Sequence, residues 1–214
     1  HDLSIRAVEF DVRQLKDGEL VIMHADNFIR TTGIDKNLYE CTQADLNTYN
    51  QANIWMDWEK QITPTLVQSL NIMQDFEHIE VEVKAVETLQ QAERLIIELQ
   101  KQLKGFEQTA VITSFDLKIH QALQQQQSSF KRGLLIEQDI KQHAIEQALN
   151  LGCCQIGWMN QLATDDIIQA TQNAQLDISV WTVNDIERAK HLQRLGIDGL
   201  ITDFPKMMLE HLSI

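Results

Sequence analysis

Positive charge, proline and glycine are all scarce in this chain. Eighteen lysines and arginines stand against 31 acidic side chains, a formal net charge of −13. Nucleic acid and anionic membrane surfaces normally require a field of basic residues, so neither is expected as a partner. A small phosphodiester stays compatible, because a metal ion and one or two placed cations can hold a phosphate on an acidic protein. Two prolines and eight glycines leave no linker-like stretch, and Gln124 to Gln127 is the one low-complexity run, read as a solvated helix end. No apolar run approaches the ~20 residues of a membrane span, and no signal peptide is visible. Cysteine is also sparse: Cys41, Cys153 and Cys154 are odd in number, and adjacent cysteines rarely bridge without strain. Reduced thiols in a cytoplasmic protein are therefore expected. What remains is ordinary for a soluble protein: 43% hydrophobic content and a length of 214 residues suit one sizeable core, hence a single domain over 1–214.

The most informative stretch runs from Val8 through Glu9-Phe10-Asp11-Val12 and Lys16-Asp17-Gly18 into Leu20-Val21-Ile22-Met23-His24. In a strand, residues two apart share a face, so Glu9 and Asp11 project side by side while Val8, Phe10 and Val12 face the other way. Two adjacent carboxylates either meet solvent or need a cation. Lys-Asp-Gly is turn chemistry, with Gly18 free to take a positive φ, so the chain folds back and returns His24 towards the carboxylates.

Further along, short β-branched runs alternate with amphipathic stretches. The strand centres Ile112, Leu135, Ile156, Val180 and Ile201 are 23, 21, 24 and 21 residues apart, a period fitting one strand, one helix and two brief loops. Helices are predicted over 65–74, 86–103, 117–126, 140–149, 165–173 and 186–195, with Gly105, Gly152 and Gly196 just past three of them as caps. Such regularity favours a (βα)8 TIM barrel, an α/β fold, over an open sheet. Residues 31–61 are less periodic and read as an excursion off the barrel rim, carrying Trp55 and Trp58 as anchors or pocket wall. Parallel staves centred on Glu9, Val81 and the five above make seven. Leu20 to His24 cannot supply an eighth, because a tight turn makes it antiparallel to its neighbour. The first strand and helix of the barrel are thus expected to lie upstream, in roughly 20 to 35 further residues.

Barrel active sites gather at the carboxyl ends of the strands, which brings Glu9, Asp11 and Glu82 to one rim. Three carboxylates are hard oxygen ligands and favour Mg2+ or Ca2+ over zinc. Glu82 and Lys84 share a strand face, either outward as a surface pair or inward, where the pair would be costly without a ligand.

The chain also resembles a known family. Glu9-Phe10-Asp11, Lys16-Asp17-Gly18, His24, Arg30-Thr31-Thr32-Gly33, Thr63-Pro64-Thr65-Leu66, Glu82-Val83-Lys84, Ser114-Phe115-Asp116, Trp181-Thr182-Val183-Asn184 and Gly196 to Pro205 fall in the order found in glycerophosphodiester phosphodiesterases. The resemblance covers nearly the whole chain and is closest to the small cytosolic bacterial type. It implies a metal-dependent hydrolysis of glycerophosphodiesters to glycerol 3-phosphate and an alcohol. It further implies that Glu82 helps hold the metal, Lys84 approaches the phosphate, His24 is one of two catalytic histidines, and Trp181 walls the glycerol moiety. Ser114-Phe115-Asp116 and Thr202 to Pro205 are read as structural strand ends. Two departures stand out. Ala25 occupies the place where an aspartate commonly follows the histidine, with Asp26 one position later. The family's His-Arg-Gly and Glu-Asn-Thr motifs are not in this chain, and His1 does not replace them. Two alternatives stay open: a lysophospholipase D-like hydrolase, for which Ile54, Trp55, Met56 and Trp58 would make an apolar mouth, and an impaired metal- or phosphate-binding barrel.

Overall fold

The computed structural model describes residues 5–212. His1, the residue set aside above, lies outside them. In chain order the elements are β1 Ala7–Gln14, β2 Leu20–Ile22, α1 Ile29–Thr32, α2 Gln43–Leu46, α3 Leu66–Ile72, β3 His78–Val83, α4 Leu89–Gln102, β4 Ala110–Ser114, α5 Leu117–Gln125, β5 Lys131–Ile136, α6 Gln142–Asn150, β6 Gln155–Met159, α7 Asp165–Asn173, β7 Asp177–Trp181, α8 Ile186–Leu195, β8 Gly199–Leu200 and α9 Pro205–His211. One curled sheet runs β2-β1-β3-β4-β5-β6-β7-β8, parallel throughout except for β2 against β1. The expected seven staves are present. Among the described residues no pairing joins β8 to β1, so the barrel is not closed.

The predicted helices form, three of them starting as expected at 117, 165 and 186 and three one to three residues late. The expected 86–103 helix begins at Leu89 because Thr88 caps it, its side chain accepting from the Gln91 N–H while the Gln91 side chain accepts from the Thr88 N–H. Its apolar face buries Ala92, Leu95, Ile96 and Leu99 against the sheet. Gly196 ends α8 at a φ of 75°, as its position after the last apolar residue predicts. The α9 helix was not anticipated. Pro205, read above as part of a strand-end motif, sits at its first turn, where a missing N–H costs nothing.

The apolar mass lies outside the sheet, between strands and helices. One half packs β1, β3 and β4 under α3 to α5, with Val81, Val83 and Ile112 fully buried; the other packs β5 to β7 under α6 to α9. A third cluster, Leu15, Val21, Phe28, Leu38, Cys41 and Leu46, fastens the 31–61 excursion to the β1–β2 hairpin. The Lys16 N–H donates to the Cys41 carbonyl at 3.0 Å, and the Gln43 N–H to Asp17 at 2.9 Å. Because that hairpin caps the carboxyl end of β1, the excursion stands on the side of the barrel where strand-borne chemistry is exposed.

One buried histidine belongs to this frame. His120 on α5 is fully buried, its Nε2 3.0 Å from the Ser114 carbonyl and its Nδ1 3.7 Å from Cys153 Sγ. Burial pushes the Cys153 thiol up to about 12, so it stays protonated and can donate to the ring. Burial also lowers the His120 pKa below its ordinary 6.5, outweighing the hydrogen bond to Ser114, which favours the charged form. The folded imidazole is therefore neutral, and below the ordinary value protons bind the unfolded chain first. This contribution to stability is fully present above pH 6.5 and declines as the pH falls through that value towards the lowered one. Replacing His120 with Gln is expected to shrink the stability difference between about pH 7.5 and about pH 5.5, read from urea midpoints. An unchanged difference would assign the acid sensitivity to other groups.

Candidate metal centre and active site

The inner face of the sheet follows from the strand register. Glu9 lies beside Glu80, Asp11 beside Glu82, and Glu82 beside Thr113, and residues in register on parallel strands point to the same side. Carboxylates therefore line the inside while Val8, Val81 and Ile112 face the helices. Glu9, Asp11 and Glu82 each bring an oxygen to one point, all within 4.8 Å of one another.

The β1–β2 hairpin supplies the next groups. Gly18 turns the chain at a φ of 92°. The Met23 N–H then donates to the Asp11 carbonyl at 3.0 Å, which brings His24 level with the carboxylates. Arg13 clamps the same segment: its Nε and Nη2 donate to the His24 carbonyl at 3.1 and 2.8 Å, and its Nη1 donates to the Tyr39 hydroxyl at 2.6 Å. His24 itself is exposed at the mouth.

Lys84 settles the question of its strand face. Its Nζ ion-pairs with both Asp11, at 2.5 Å, and Glu82, and its side chain is only 13% exposed. The pair points inward. Burial would lower the Lys84 pKa, but the hydrogen bonds to Asp11 and Glu82 outweigh it and raise it. Burial raises Glu82, with Lys84 opposing. Glu9 is pushed up to about 8 by burial first, then by repulsion from Asp11, Glu82 and Glu80, which Lys84 only partly offsets. Carboxylates thus outnumber the neighbouring ammonium, and a divalent cation is the charge that this oxygen donor set accommodates.

A cavity of about 680 Å3 opens onto these groups, lined among others by Glu9, Asp11, Glu82, Lys84, His24 and Trp181. Its apolar side is made by Trp181 and Phe115, whose rings meet edge to face at 5.4 Å and 89°. Trp181 is half-buried and its Nε1 donates to the Gly157 carbonyl at 3.1 Å, so it is cavity wall and not a core tryptophan.

Residues 2–207 match the model of the glycerophosphoryl diester phosphodiesterase family. This chain belongs to that family. A glycerophosphodiester phosphodiesterase of Caldanaerobacter subterraneus is 22% identical over 211 residues, covering 97% of this chain and 86% of that one. Among solved structures, a phosphodiesterase of Oleispira antarctica in complex with the product sn-glycerol-3-phosphate has a TM-score of 0.86 at 20% identity, over 98% of this chain and 86% of that one. A glycerophosphodiester phosphodiesterase of Agrobacterium tumefaciens has a TM-score of 0.79 at 22% identity, over 98% of this chain and 88% of that one. At these identities the likeness is one of fold.

Within this phosphodiesterase fold, all six residues singled out from sequence line one cavity. Trp55, offered above as anchor or pocket wall, and its neighbours Ile54, Met56 and Trp58 are not wall: none is among the lining residues, and all four are exposed. Phe115, grouped above with structural strand ends, is wall instead. Sequence reasoning missed Arg13, Glu80, Asp26 and Tyr39, which also line the cavity. Two of these had a period-two signal: Arg13 follows Asp11 on its strand face, and Glu80 precedes Glu82. Glu80 is 3% exposed and accepts from Gln155 Nε2 at 2.8 Å, with Ser179 Oγ at 3.4 Å. A carboxylate buried there is satisfied by His78 on its own strand and by side chains from two other staves, and no local pattern announces the latter two. Tyr39 comes from the excursion and Asp26 from the connection between β2 and α1, and neither segment has a periodicity to read.

Proposed function

We propose that this chain hydrolyses small glycerophosphodiesters to glycerol 3-phosphate and an alcohol, with Glu9, Asp11 and Glu82 holding Mg2+ or Ca2+. The observation that carries the reading is the convergence of three carboxylates, Lys84 and His24 on one cavity in a chain of this family. Bound there, a divalent cation supplies Lewis acidity to the phosphoryl oxygens. The Lys84 ammonium, poised between Asp11 and Glu82, counters charge that builds on the phosphate. His24 gives or takes the proton at the ester oxygen, a task suited to an imidazole near neutrality. Arg13 holds the His24 backbone in place, and Trp181 with Phe115 offers an apolar face to the glycerol carbons while excluding water.

The exposed Ile54 to Trp58 stretch stands outside the cavity, so the cavity itself favours a water-soluble diester over one needing an apolar tunnel. No helix among the described residues is long and apolar enough to cross a membrane. The free thiols Cys41, Cys153 and Cys154 support a cytoplasmic compartment. Incubation of the purified protein with glycerophosphocholine and either Mg2+ or Ca2+ should release glycerol 3-phosphate. Failure with both cations would refute the reading.

A further inference from the structure

The excursion presents a feature that hydrolysis does not use. Residues 51–61 form a loop closed at its neck by the Gln51 N–H donating to the Gln61 carbonyl at 2.7 Å. Within it the Trp55 N–H donates to the Ala52 carbonyl at 2.9 Å and the Trp58 N–H to the Trp55 carbonyl at 3.2 Å, so the tip has a definite turn. That turn holds Ile54, Trp55, Met56 and Trp58 out in solvent, with Met56 98% exposed. The indoles of Trp55 and Trp58 stand 6.5 Å apart with their planes at 47°, an open pair of aromatic faces. Asp57 lies between them in sequence and Glu59 follows. The one basic residue of the loop, Lys60, is tied back, its Nζ donating to the Asn47 and Thr48 carbonyls at 2.9 and 3.1 Å.

Exposed tryptophan on an otherwise acidic surface is poorly explained by solvent alone. Indole is the side chain best suited to a lipid–water interface, because its ring is apolar and its N–H is wet. Aromatic faces also attract quaternary ammonium, most strongly when a carboxylate adds to the field. With a net charge of −13, the protein is repelled by anionic lipid. A choline-headed lipid surface presents its ammonium outermost, the charge this tip complements. The excursion packs on the β1–β2 hairpin, and its Tyr39 lines the cavity with Arg13 and His24.

We propose that the Trp55–Trp58 tip docks this protein on a zwitterionic, choline-headed lipid surface. The docking delivers the mouth to the layer from which lipid-derived diesters leave, and it is independent of the hydrolytic reading above because it is measured without turnover. The experiment is co-flotation of the full chain with phosphatidylcholine vesicles, with phosphatidylglycerol and phosphatidylethanolamine vesicles alongside. Phosphatidylcholine should float the protein, and brominated acyl chains in it should quench tryptophan emission. The double variant Trp55→Ala, Trp58→Ala should bind at least about tenfold more weakly. Its thermal transition and its turnover of soluble glycerophosphocholine should match the parent, since neither indole is buried or lines the cavity. No flotation by phosphatidylcholine, equal flotation by either other lipid, or a variant that floats like the parent would each overturn the proposal.

Discussion

Glu82→Gln is expected to remove divalent-cation binding and lower turnover of a glycerophosphodiester by about a thousandfold, roughly 4 kcal/mol of transition-state stabilisation. The amide keeps the size of the side chain and replaces a charged oxygen ligand with a weaker neutral one. It also leaves Lys84 with Asp11 as its sole carboxylate partner of the two it now bridges. Glu9→Gln should act in the same direction. Because burial and three neighbouring carboxylates already push Glu9 up to about 8, removing its charge should not unfold the protein. Titration calorimetry with Mg2+ and with Ca2+ on the parent and both variants separates the two effects. Chelation of the parent should abolish turnover, and the cation should restore it. Turnover that persists in excess chelator would reject the carboxylate cluster as a catalytic metal site.

His24→Ala should reduce turnover by about 10^2- to 10^4-fold with fold and cation affinity nearly intact. The side chain is exposed at the mouth and the segment is held through its backbone: the Arg13 guanidinium grips the His24 carbonyl, which alanine retains. Loss of the side chain therefore removes the proposed proton carrier without removing a structural contact. The informative measurement is the pH–rate profile beside a thermal melt. A variant that loses its thermal transition together with its activity would mark His24 as structural.

The three substitutions probe residues that sequence and structure revealed in different ways. Strand periodicity alone placed Glu9 with Asp11 and Glu82 with Lys84, because side chains on a strand alternate with a period of two whatever the strand packs against. The 21- to 24-residue spacing of apolar strand centres made the repeating β–α unit legible, since each unit must fit one strand, one helix and their turns. The Lys-Asp-Gly turn likewise announced the antiparallel return to His24, which the Gly18 φ of 92° bears out.

What local pattern could not decide was direction and company. Whether the Glu82–Lys84 face met water or the barrel interior depended on which strands lay alongside; register with β1 put Asp11 against Glu82 and closed the ion pair with Lys84. Glu80 illustrates the same limit, since beside its strand neighbour His78 its buried carboxylate is met by Gln155 and Ser179, residues 75 and 99 positions later. Arg13 and Tyr39 meet across an aperiodic excursion, and Trp181 became cavity wall only when Phe115 from another stave met it edge on. By itself, then, the sequence determined the strand–helix repeat and which carboxylates share a face, properties set by backbone geometry within a few residues. Tertiary structure alone decided which face is interior, which distant side chains make buried charge affordable, and that the tryptophan tip stands in solvent outside the cavity, because those depend on contacts between segments far apart in the chain.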